Sequence, residues 1–373
     1  MKSVCFIYPP SYHYRAPFHE RLRQILAENG VNYVVYYSDL GAKNRFKNDT
    51  VDIEWGKKVP LTRIKGGEYQ HVLRESTKHD LVIVQQENKL LANYLFNAAS
   101  MLSLKKVAFF GHGRNFQSRR PDSLGERLKR FLALRVDWWF AYTDETRIHV
   151  ENLGFPANRI TVFNNSVDTS ELRAQIATAT PSRLLAIQKD LGLYGKHVGV
   201  FVGGIYPDKR MAFLAAAADH IRSRIPDFEM IVVGGGSDLS VIESLAENRP
   251  WIHVTGPRFG QDKVDLMLLG QVFMMPGLIG LAILDAGAAG LAIATTDFPW
   301  HSPEIAYLEP GVSGLKVADW ENPEAYAAEV AALLLDRPAL DRMRAAARSM
   351  AERYSIEAMA QNFASGVLKA LAS

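Results

Sequence analysis

A chain of 373 residues is too long for a single hydrophobic core, so its length predicts two domains of ordinary size. Hydrophobic residues make up 48% and charged residues 22%, which is typical of a soluble globular protein. The formal net charge is only +3, which is too small to indicate a nucleic-acid-binding protein. Any anion must therefore be bound by a local cluster of positive charge.

The chain starts with MKSVCFIYPP, an apolar run that is too short for a signal peptide and predicts a first strand. Its Cys5 is the single cysteine, which excludes an intrachain disulfide or a thiolate metal site. No apolar run reaches the roughly 18 residues of a membrane span. We therefore expect a cytoplasmic protein, either soluble or peripheral on the inner face of the cell membrane.

Short strand-like runs then alternate with longer helical runs. In the first half the predicted strands are 2–8, 31–38, 80–86, 105–113 and 138–144. In the second half they are 197–205, 228–236, 251–256, 271–277 and 291–296, followed by a helical region at 322–373. This alternation predicts α/β architecture, with two doubly wound parallel sheets covered on both faces by helices.

The polar stretch 169–195 is the natural bridge between the two halves. We predict an N-terminal domain at 1–180 and a C-terminal domain at 181–355. Residues 356–373 are predicted to form a helix that packs back on the N-terminal domain.

Doubly wound sheets bind ligands beyond the carboxyl ends of their strands. The segment FVGGIYPDKR ends a strand with Gly203 and Gly204, and it places Lys209 and Arg210 at the start of the next helix. A helix N-terminus with two cations describes a phosphate site. A tight turn with two solvated charges is an equal alternative. Two further glycine-rich strand ends follow at 232–238 and 254–260, and the second carries Arg258.

Asp285 lies within the apolar run PGLIGLAILDAGAAGLAI, where a carboxylate is costly unless it is paired. The run predicts a strand, a loop and a short helix that begins near Leu281. Backbone N–H groups from Gly280 to Ala282 would face an anion, and Asp285 would accept hydrogen bonds from a sugar diol.

In this order these segments resemble glycosyltransferase family 4, whose members are retaining enzymes of the GT-B fold. The resemblance rests on VVGGG, the run around Asp285, HSPEI, EPGVSGLKV, FNNSVDTSEL and FFGHG, and it covers most of the chain. It implies two Rossmann-like domains facing a central cleft. It also implies transfer of a hexosyl or deoxyhexosyl group from a nucleoside-diphosphate sugar to a saccharide or lipid-linked saccharide. The setting it implies is bacterial surface-polysaccharide or lipopolysaccharide synthesis.

The resemblance also implies residue roles on the donor side. Lys209 matches the lysine on the donor diphosphate, and Asp285 matches the second glutamate of an E-x7-E pair that contacts ribose. Gly204 stands where the family has an arginine, and Gly277 stands where it has the first glutamate. Arg210 and Arg258 are candidates for the missing charge.

Glu304, in HSPEI, is predicted either to reach the donor site or to be an acid at a helix N-terminus, and His301 is a neighbouring candidate. The full set of predicted donor-binding residues is Gly203, Gly204, Lys209, Arg210, Arg258, Gly280, Leu281, Asp285 and Glu304.

On the acceptor side, His112 matches the family histidine that follows a strand, and it is the predicted catalytic partner of Lys209. The loop YPPSYHYRAPF replaces the glycine-rich first loop of the family. Its Tyr12, His13 and Arg15, together with Glu87, are predicted to contact the acceptor. Loop packing is the alternative for the tyrosines.

The chemistry follows from this inventory. The chain has no Asp-x-Asp pair to hold a divalent cation, so we expect no metal and no other cofactor. The positive charge that stabilises the leaving diphosphate must then come from Lys209, from Arg210 as a further candidate, and from the helix start near residue 280. His112 is expected to orient the substrates.

Segment 114–135 carries a local surplus of positive charge: Arg114, Arg119, Arg120, Arg127, Lys129, Arg130 and Arg135 against Asp122 and Glu126. Its apolar stripe consists of Leu124, Leu128, Phe131 and Leu132. We expect the stripe to face the core and the charges to face lipid headgroups or an acceptor pyrophosphate. A polyprenyl-diphosphate-linked saccharide would fit such a surface. A nucleotide-sugar epimerase-like enzyme and a non-catalytic nucleotide-sugar binder of the same fold remain alternatives.

Overall fold

A computed structural model describes residues 1–39, 50–113 and 124–373 of the chain. The chain divides into two compact units: unit 1 is Met1–Asp168 with Ser355–Ser373, and unit 2 is Thr169–Tyr354. Each unit is an α/β domain built on a parallel sheet.

The described part of unit 1 contains a seven-stranded parallel sheet in the order β3-β2-β1-β6-β7-β8-β9, and a separate antiparallel hairpin β4-β5. Its strands are β1 Lys2–Ile7, β2 Val31–Tyr37, β3 Lys57–Lys58, β4 Leu61–Ile64, β5 Gly67–Gln70, β6 Leu81–Gln85, β7 Lys106–Gly111, β8 Trp138–Ala141 and β9 Ile160–Val162. Its helices before the interdomain crossing are α1 Ala16–Glu28, α2 Leu73–Ser76, α3 Ala92–Met101, α4 Leu124–Ala133 and α5 Asp144–Asn152.

The sheet of unit 1 is buried on both faces, which is why its strands are continuous apolar runs. Strand β6, LVIVQ, is buried at every position. One face packs on α1 through residues such as Phe6 and Phe110. The other face packs on α3 through Phe109, Trp139 and Phe96.

Unit 2 is a six-stranded parallel sheet in the order β12-β11-β10-β13-β14-β15. The strands are β10 His197–Val202, β11 Phe228–Val233, β12 Ile252–Gly256, β13 Val272–Met274, β14 Ala292–Thr296 and β15 Gly314–Val317. The helices are α6 Ser170–Thr178, α7 Pro181–Asp190, α8 Met211–Arg224, α9 Leu239–Ala246, α10 Gly260–Leu268, α11 Ala282–Ala288, α12 Pro323–Leu335 and α13 Arg337–Arg353.

The last helix, α14 Ile356–Ala372, belongs to unit 1. The ring of its Phe363 stacks on Phe140 of β8 with centroids 4.0 Å apart. Gly366 permits this close approach, because a Cβ built there would lie 2.6 Å from both Phe140 and Thr161.

Helices α6 and α7 belong to unit 2, so the division falls at 168/169 rather than at the predicted 180/181. The reason is their contact with α10. Arg183 of α7 forms ion pairs with Asp265 and with Asp262, the latter at 3.1 Å. The Gln261 amide of α10 donates a hydrogen bond to the Gln175 carbonyl of α6, at 3.1 Å.

Each sheet has one point where the direction of winding reverses. In unit 1 this point lies between the neighbouring strands β1 and β6, and in unit 2 it lies between β10 and β13. At such a point the loops beyond the two strands diverge to opposite faces and leave a crevice, which is the usual ligand position in this architecture.

Candidate functional site

In unit 2 the loops that follow β10 and β13 are joined beyond the winding reversal. The Leu278 amide donates to the Asp208 carbonyl at 2.8 Å. The Lys209 ammonium in turn donates to the Leu278 carbonyl. These two hydrogen bonds fix the loop after β10 against the loop after β13.

Lys209 is the predicted diphosphate lysine. Its Nζ also lies 3.5 Å from the Met275 sulfur, and no described carboxylate forms an ion pair with it. Burial lowers the pKa of Lys209 to about 8, and nearby Asp208 opposes the shift. A half-buried ammonium without a counter-charge is partly desolvated, so an incoming anion would be stabilised here.

Gly277 and Gly280 shape the loop after β13. A Cβ built on Gly277 would lie 2.0 Å from the Asp208 carbonyl oxygen, so this position excludes every side chain. The packing of the two loops therefore explains why glycine replaces the glutamate of the resembling family. At Gly280 a Cβ would lie 3.2 Å from Ser302 Oγ and 3.8 Å from Glu304 Oε2. Leu281 is the N-cap of α11.

The loop after β14 is hydrogen-bonded to the loop after β13. His301 is buried, its Nδ1 accepts a hydrogen bond from the Ile279 amide at 3.1 Å, and its Nε2 lies 2.9 Å from the Thr296 carbonyl. Burial lowers the pKa of His301 to about 4, so the ring is neutral with its proton on Nε2. Glu304 is buried beside Gly280, in a short 3-10 helix at Pro303–Tyr307.

Arg210 is held by backbone carbonyls and aromatic rings, and its predicted role on the diphosphate stays a prediction. Its Nη1 donates to the Trp320 carbonyl at 2.6 Å and to the Pro276 carbonyl at 3.3 Å. The guanidinium also lies 4.1 Å from the ring centre of Phe213 and 4.9 Å from that of Trp320. We therefore assign Arg210 a structural role, as a cation held by aromatic rings.

Asp285 has a charged partner, which offsets the cost of a carboxylate within an apolar run. Its Oδ2 lies 3.2 Å from Nζ of Lys263, which is in α10, and both side chains are about 30% exposed (30% and 27%). The pair leaves part of the carboxylate open to solvent. Lys263 was missed by sequence reasoning, since nothing in the local pattern links α10 to α11.

The glycine-rich strand ends of β10 and β11 pack backbone against backbone. The Ile205 amide donates to the Gly235 carbonyl at 2.9 Å. A Cβ on Gly234 would lie 1.9 Å from the Gly203 carbonyl oxygen, and one on Gly236 would lie 2.2 Å from the Ile205 carbonyl oxygen. These glycines therefore serve close packing of two loops.

Two other predicted donor residues lie on the same edge of the sheet. Gly204 occupies the sequence position of the family arginine, and a Cβ built on it would lie 2.4 Å from the ring of Tyr206. Arg258 is exposed in the loop after β12 and forms no ion pair with a described residue. Its side chain is therefore free to move towards a ligand.

In unit 1 the loop after β1 is an aromatic cluster. The ring of Tyr12 stacks on Tyr14 with centroids 5.5 Å apart and meets Tyr8 edge-on at 5.8 Å. Arg15 is buried, and its Nη2 donates to the Tyr142 hydroxyl at 3.1 Å. The neighbouring His13 is exposed.

His112 follows β7, with its ring 4.1 Å from that of Tyr142. Burial, together with the positive charges of Lys129 and Arg15, lowers the pKa of His112 to about 3. The ring is therefore neutral at physiological pH. The structure thus gathers His112, Arg15 and the tyrosines around one end of the sheet.

Glu87 follows β6 at the same end of the sheet as this cluster. Its carboxylate forms an ion pair with Lys89 at 3.0 Å. Two of the predicted acceptor residues, Arg15 and Glu87, thus lie on the two sides of the winding reversal.

Three of the four residues of the α4 apolar stripe do not face the core, contrary to expectation, while Leu132 is half-buried. Leu124, Leu128 and Phe131 are 82%, 42% and 52% exposed, while Ala133 is fully buried. Arg135 lies over the Phe131 ring at 4.2 Å. The predicted basic residues Arg114, Arg119 and Arg120, with Asp122, lie outside the described residues. Helix α4 therefore presents an exposed apolar stripe.

Within residues 1–39, 50–113 and 124–373, no cluster of three or more His, Cys, Asp or Glu side chains is placed to hold a metal ion. In the same part of the chain no helix is long and apolar enough to cross a membrane.

Comparison with known proteins finds a family match within unit 2. Residues 196–336 match the family described as glycosyl transferases group 1. Spore coat protein SA of Bacillus subtilis (strain 168) is 27% identical over 197 residues, which is 48% of this chain and 50% of that protein. A GDP-mannose-dependent alpha-(1-6)-phosphatidylinositol monomannoside mannosyltransferase of Mycobacterium tuberculosis is 25% identical over 206 residues, 52% of this chain and 51% of that protein. The chain thus spans about half the length of these curated relatives.

Among solved structures, HepE of Anabaena in complex with UDP superposes with a TM-score of 0.72 at 16% identity. The superposition covers 99% of this chain and 100% of HepE, and it shows that the two share a fold. The predicted fold class, with two parallel-sheet α/β domains of the GT-B type, is confirmed.

Proposed function

We propose, from the membership of residues 196–336 in the glycosyl transferases group 1, that the chain transfers a sugar from a nucleoside-diphosphate sugar to a saccharide acceptor. The observation that carries this proposal is Lys209. It is a half-buried ammonium with no described carboxylate partner, held at the winding reversal of the family-matched unit. An anionic diphosphate is the ligand that such a group stabilises best.

The proposed reaction retains the anomeric configuration and needs no metal ion. As the bond from the anomeric carbon to the diphosphate oxygen breaks, Lys209 neutralises the charge that develops on the leaving group. The acceptor oxygen bonds to the anomeric carbon, and its proton passes to the departing diphosphate. His112, neutral because of its lowered pKa, orients the acceptor hydroxyl.

The donor proposal is tested by calorimetric binding of UDP, GDP and dTDP, first in EDTA and then in magnesium. We expect one diphosphate to bind equally well in both, and Lys209→Met to weaken it by about 100-fold, the scale of a charge-assisted contact. Lys189→Met, at an exposed lysine of α7, is the matched control and should bind like the wild type. Binding that needs magnesium, or that ignores Lys209, would contradict the proposal.

We further propose that the acceptor is lipid-linked, such as a saccharide on polyprenyl diphosphate, and that the chain works on the inner face of a cell membrane. The support is α4, whose exposed Leu124, Leu128 and Phe131 lie among Arg127, Arg130 and Arg135. An apolar stripe flanked by arginines is suited to an anionic lipid surface. Surface-polysaccharide or lipopolysaccharide synthesis is the corresponding process.

Flotation with vesicles tests this surface. We expect binding to vesicles containing phosphatidylglycerol, none to pure phosphatidylcholine, and loss of binding in Leu128→Glu. Leu185→Glu in α7, where the leucine is 66% exposed, is the matched control and should float like the wild type. Equal flotation of both variants would show that α4 does not contact the lipid surface.

The reaction products distinguish the proposed transferase from two alternatives. An epimerase-like enzyme would convert or hydrolyse the donor sugar without an acceptor, and a non-catalytic binder would leave it intact. The glycines at 204 and 277, which replace two side chains of the resembling family, motivate the second alternative. Chromatography of the donor with and without a saccharide acceptor distinguishes all three.

A further inference from the structure

Arg210 has a backbone conformation that favours glycine. Its φ and ψ are +61° and +53°, in the left-handed region, and among the described residues other than glycine only Ser103 and Asn164 also have a positive φ. Arg210 joins the short 3-10 helix Pro207–Lys209 to α8, and its amide donates to the first carbonyl of that short helix at 3.0 Å. A side chain is costly in this conformation, so we expect contacts of the arginine to offset the strain.

The Arg210 side chain makes such contacts with three other strand-end loops. Its Nη1 donates to the Pro276 carbonyl, in the loop after β13, at 3.3 Å and to the Trp320 carbonyl, in the loop after β15, at 2.6 Å. The guanidinium lies 5.7 Å from the ring centre of Phe298, in the loop after β14, and 4.1 Å from that of Phe213 in α8. One side chain therefore connects the start of α8 to the loops after three strands.

The Pro276 contact bears on Lys209, because residues 209 and 210 bind the chain on the two sides of Gly277. Arg210 donates to the Pro276 carbonyl, and the Lys209 ammonium donates to the Leu278 carbonyl. A Cβ built on Gly277 would lie 3.0 Å from the carbonyl carbon of Lys209, so the two segments are in direct contact. The position of the ammonium on this loop therefore depends on the contact that Arg210 makes beside it.

Pro276 is itself fixed to the sheet. Its carbonyl also accepts from the Thr296 hydroxyl of β14 at 2.7 Å, and the Met275 carbonyl accepts from the Thr295 hydroxyl at 2.8 Å. Both threonines are buried. The start of the loop after β13 is thus tied to β14, and Arg210 ties the start of α8 to the same point.

A direct contact between Arg210 and a donor phosphate is the alternative. To make it, the guanidinium would have to leave two carbonyl oxygens and the surrounding rings, and the left-handed backbone would lose the contacts that offset its cost. Lys209 is less engaged. Its ammonium has three N–H donors, and the Leu278 carbonyl and the Met275 sulfur are its partners among the described residues. The geometry therefore favours Lys209 as the group that meets an anion.

Two titratable groups act on Lys209 from the loops around it. Partial burial lowers the pKa of Lys209 to about 8, and Asp208 in the same loop opposes the shift. His301, in the loop after β14, interacts with Lys209 and is neutral, since burial lowers its pKa to about 4. Movement of the loop after β13 away from Lys209 would admit water and return its pKa towards the ordinary lysine value of about 10.4.

We propose that Arg210 is a positioning residue, which holds the start of α8 against the loop after β13 and so keeps the Lys209 ammonium partly desolvated at the Leu278 carbonyl. Arg210 acts through Lys209 and does not touch the ligand. The anchoring follows from the geometry of unit 2, and its bearing on the reaction rests on the proposed transferase function.

Competitive labelling with acetic anhydride tests the anchoring in the free protein. The acetylation rate of Lys209 as a function of pH, followed by mass spectrometry, gives the pKa of this lysine. We expect about 8 in the wild type and a rise of about one pH unit or more in Arg210→Met and in Arg210→Lys. Arg210→Lys keeps the positive charge, so a rise in this variant reports the lost contacts rather than the lost charge. Fragmentation of the labelled peptide assigns the acetyl group to Lys209.

Arg222→Met is the matched control. Arg222 also lies in α8 and is half-buried, its Nη1 donates to the Phe228 carbonyl at 2.6 Å, and its guanidinium lies 5.4 Å from the ring centre of Trp251. This variant should leave the pKa of Lys209 unchanged. Arg210→Gly removes the anchor and the backbone strain together, so it should fold stably and still raise that pKa. A wild-type pKa of Lys209 in Arg210→Gly, or in Arg210→Lys, would overturn the proposal.

Diphosphate binding separates this inference from the proposed function. Arg210→Met should weaken nucleoside-diphosphate binding by about tenfold, and it should cause no further loss in a Lys209→Met background, because Arg210 acts through Lys209. Losses that multiply in the double variant would show that Arg210 binds the phosphates directly, and would overturn the proposal. A wild type that binds no diphosphate but shows the expected changes in the pKa of Lys209 would contradict the donor site and support the anchoring.

Discussion

The loops at the two winding reversals are packed by different groups, backbone atoms in unit 2 and side chains in unit 1. In unit 2 the loops after β10, β11 and β13 touch through their backbones, and glycines at 234, 236 and 277 make this possible. In unit 1 the corresponding edge is filled by side chains, including the rings of Tyr8, Tyr12 and Tyr14. A backbone-built edge tolerates almost no added atom. A side-chain-built edge can change its chemistry without moving the chain.

This difference fits the proposed roles. A nucleoside diphosphate presents the same phosphates in every donor, and backbone loops that position one lysine suit it. Acceptors differ in shape and hydroxyl pattern, and replaceable side chains suit them. Substitutions at individual positions test this difference between the two units.

The largest effect is expected at Gly236. Its φ is +156°, and an added Cβ would lie 2.2 Å from the Ile205 carbonyl oxygen. Gly236→Ala should therefore lower the free energy of unfolding by about 3 kcal/mol or more, combining overpacking with backbone strain. Urea unfolding followed by circular dichroism measures the change.

Gly311→Ala is the matched control, because Gly311 has φ +77° and nothing lies within 4 Å of its Cβ position. It carries only the backbone cost, about 1 kcal/mol. Equal destabilisation of the two variants would mean that backbone conformation, not loop packing, governs the edge of unit 2.

The next effect concerns the charge of Lys209. Because burial lowers its pKa to about 8, the free protein releases a proton near that pH, whereas a bound diphosphate should restore the charged form. Diphosphate binding at pH 8 should therefore take up about half a proton, and affinity should fall as the pH rises above 8. Calorimetry in buffers of different ionisation enthalpy measures the uptake.

Lys209→Arg is the control for this measurement, since an arginine stays charged and should show no uptake near pH 8. The sign for stability follows from the same shift. Between pH 8 and the ordinary lysine pKa the unfolded chain holds more protons, so wild-type stability should rise with pH in that range. Proton release on binding would contradict the assignment.

In unit 1 the corresponding pH prediction concerns His112. With its pKa lowered to about 3 by burial, His112 stays neutral throughout pH 5 to 8. The pH profile of the transfer rate should therefore show no change caused by titration of this histidine in that range. His112→Ala should slow transfer by about tenfold without changing the shape of the profile, as expected for a group that orients substrate rather than one that titrates. A wild-type limb near pH 6.5 that disappears in His112→Ala would show instead that the histidine exchanges a proton.

Much of this architecture was predictable from the sequence, because alternating strands and helices leave a local pattern. Both parallel sheets were expected, and so was the position of Lys209 after a strand. The engagement of Arg210 was not, because its partner Trp320 lies far along the chain and no local pattern joins the two. Likewise the period of α4 predicts one apolar stripe but does not say whether the stripe faces the sheet or solvent.

The glycine-rich strand ends show the same limit. Their composition indicated turns or close backbone approach, but only the fold shows that Gly234 faces the Gly203 carbonyl rather than a ligand. The partner of Asp285 was hidden for the same reason. A carboxylate in an apolar run predicts that some partner exists, and the identity of Lys263 depends on how α10 packs beside α11.

The smallest effect is expected at this pair. Lys263 and Asp285 are both partly exposed, so breaking their ion pair should change the free energy of unfolding by less than about 1 kcal/mol. If Asp285 accepts from ribose hydroxyls, Asp285→Asn should weaken nucleoside-diphosphate binding several-fold, while Lys263→Met frees the carboxylate and changes binding less. A 2′-deoxy diphosphate sharpens the test, because the loss caused by Asp285→Asn should shrink with it. An equal loss for both nucleotides would mean that Asp285 supports the α10–α11 contact and does not touch the ribose.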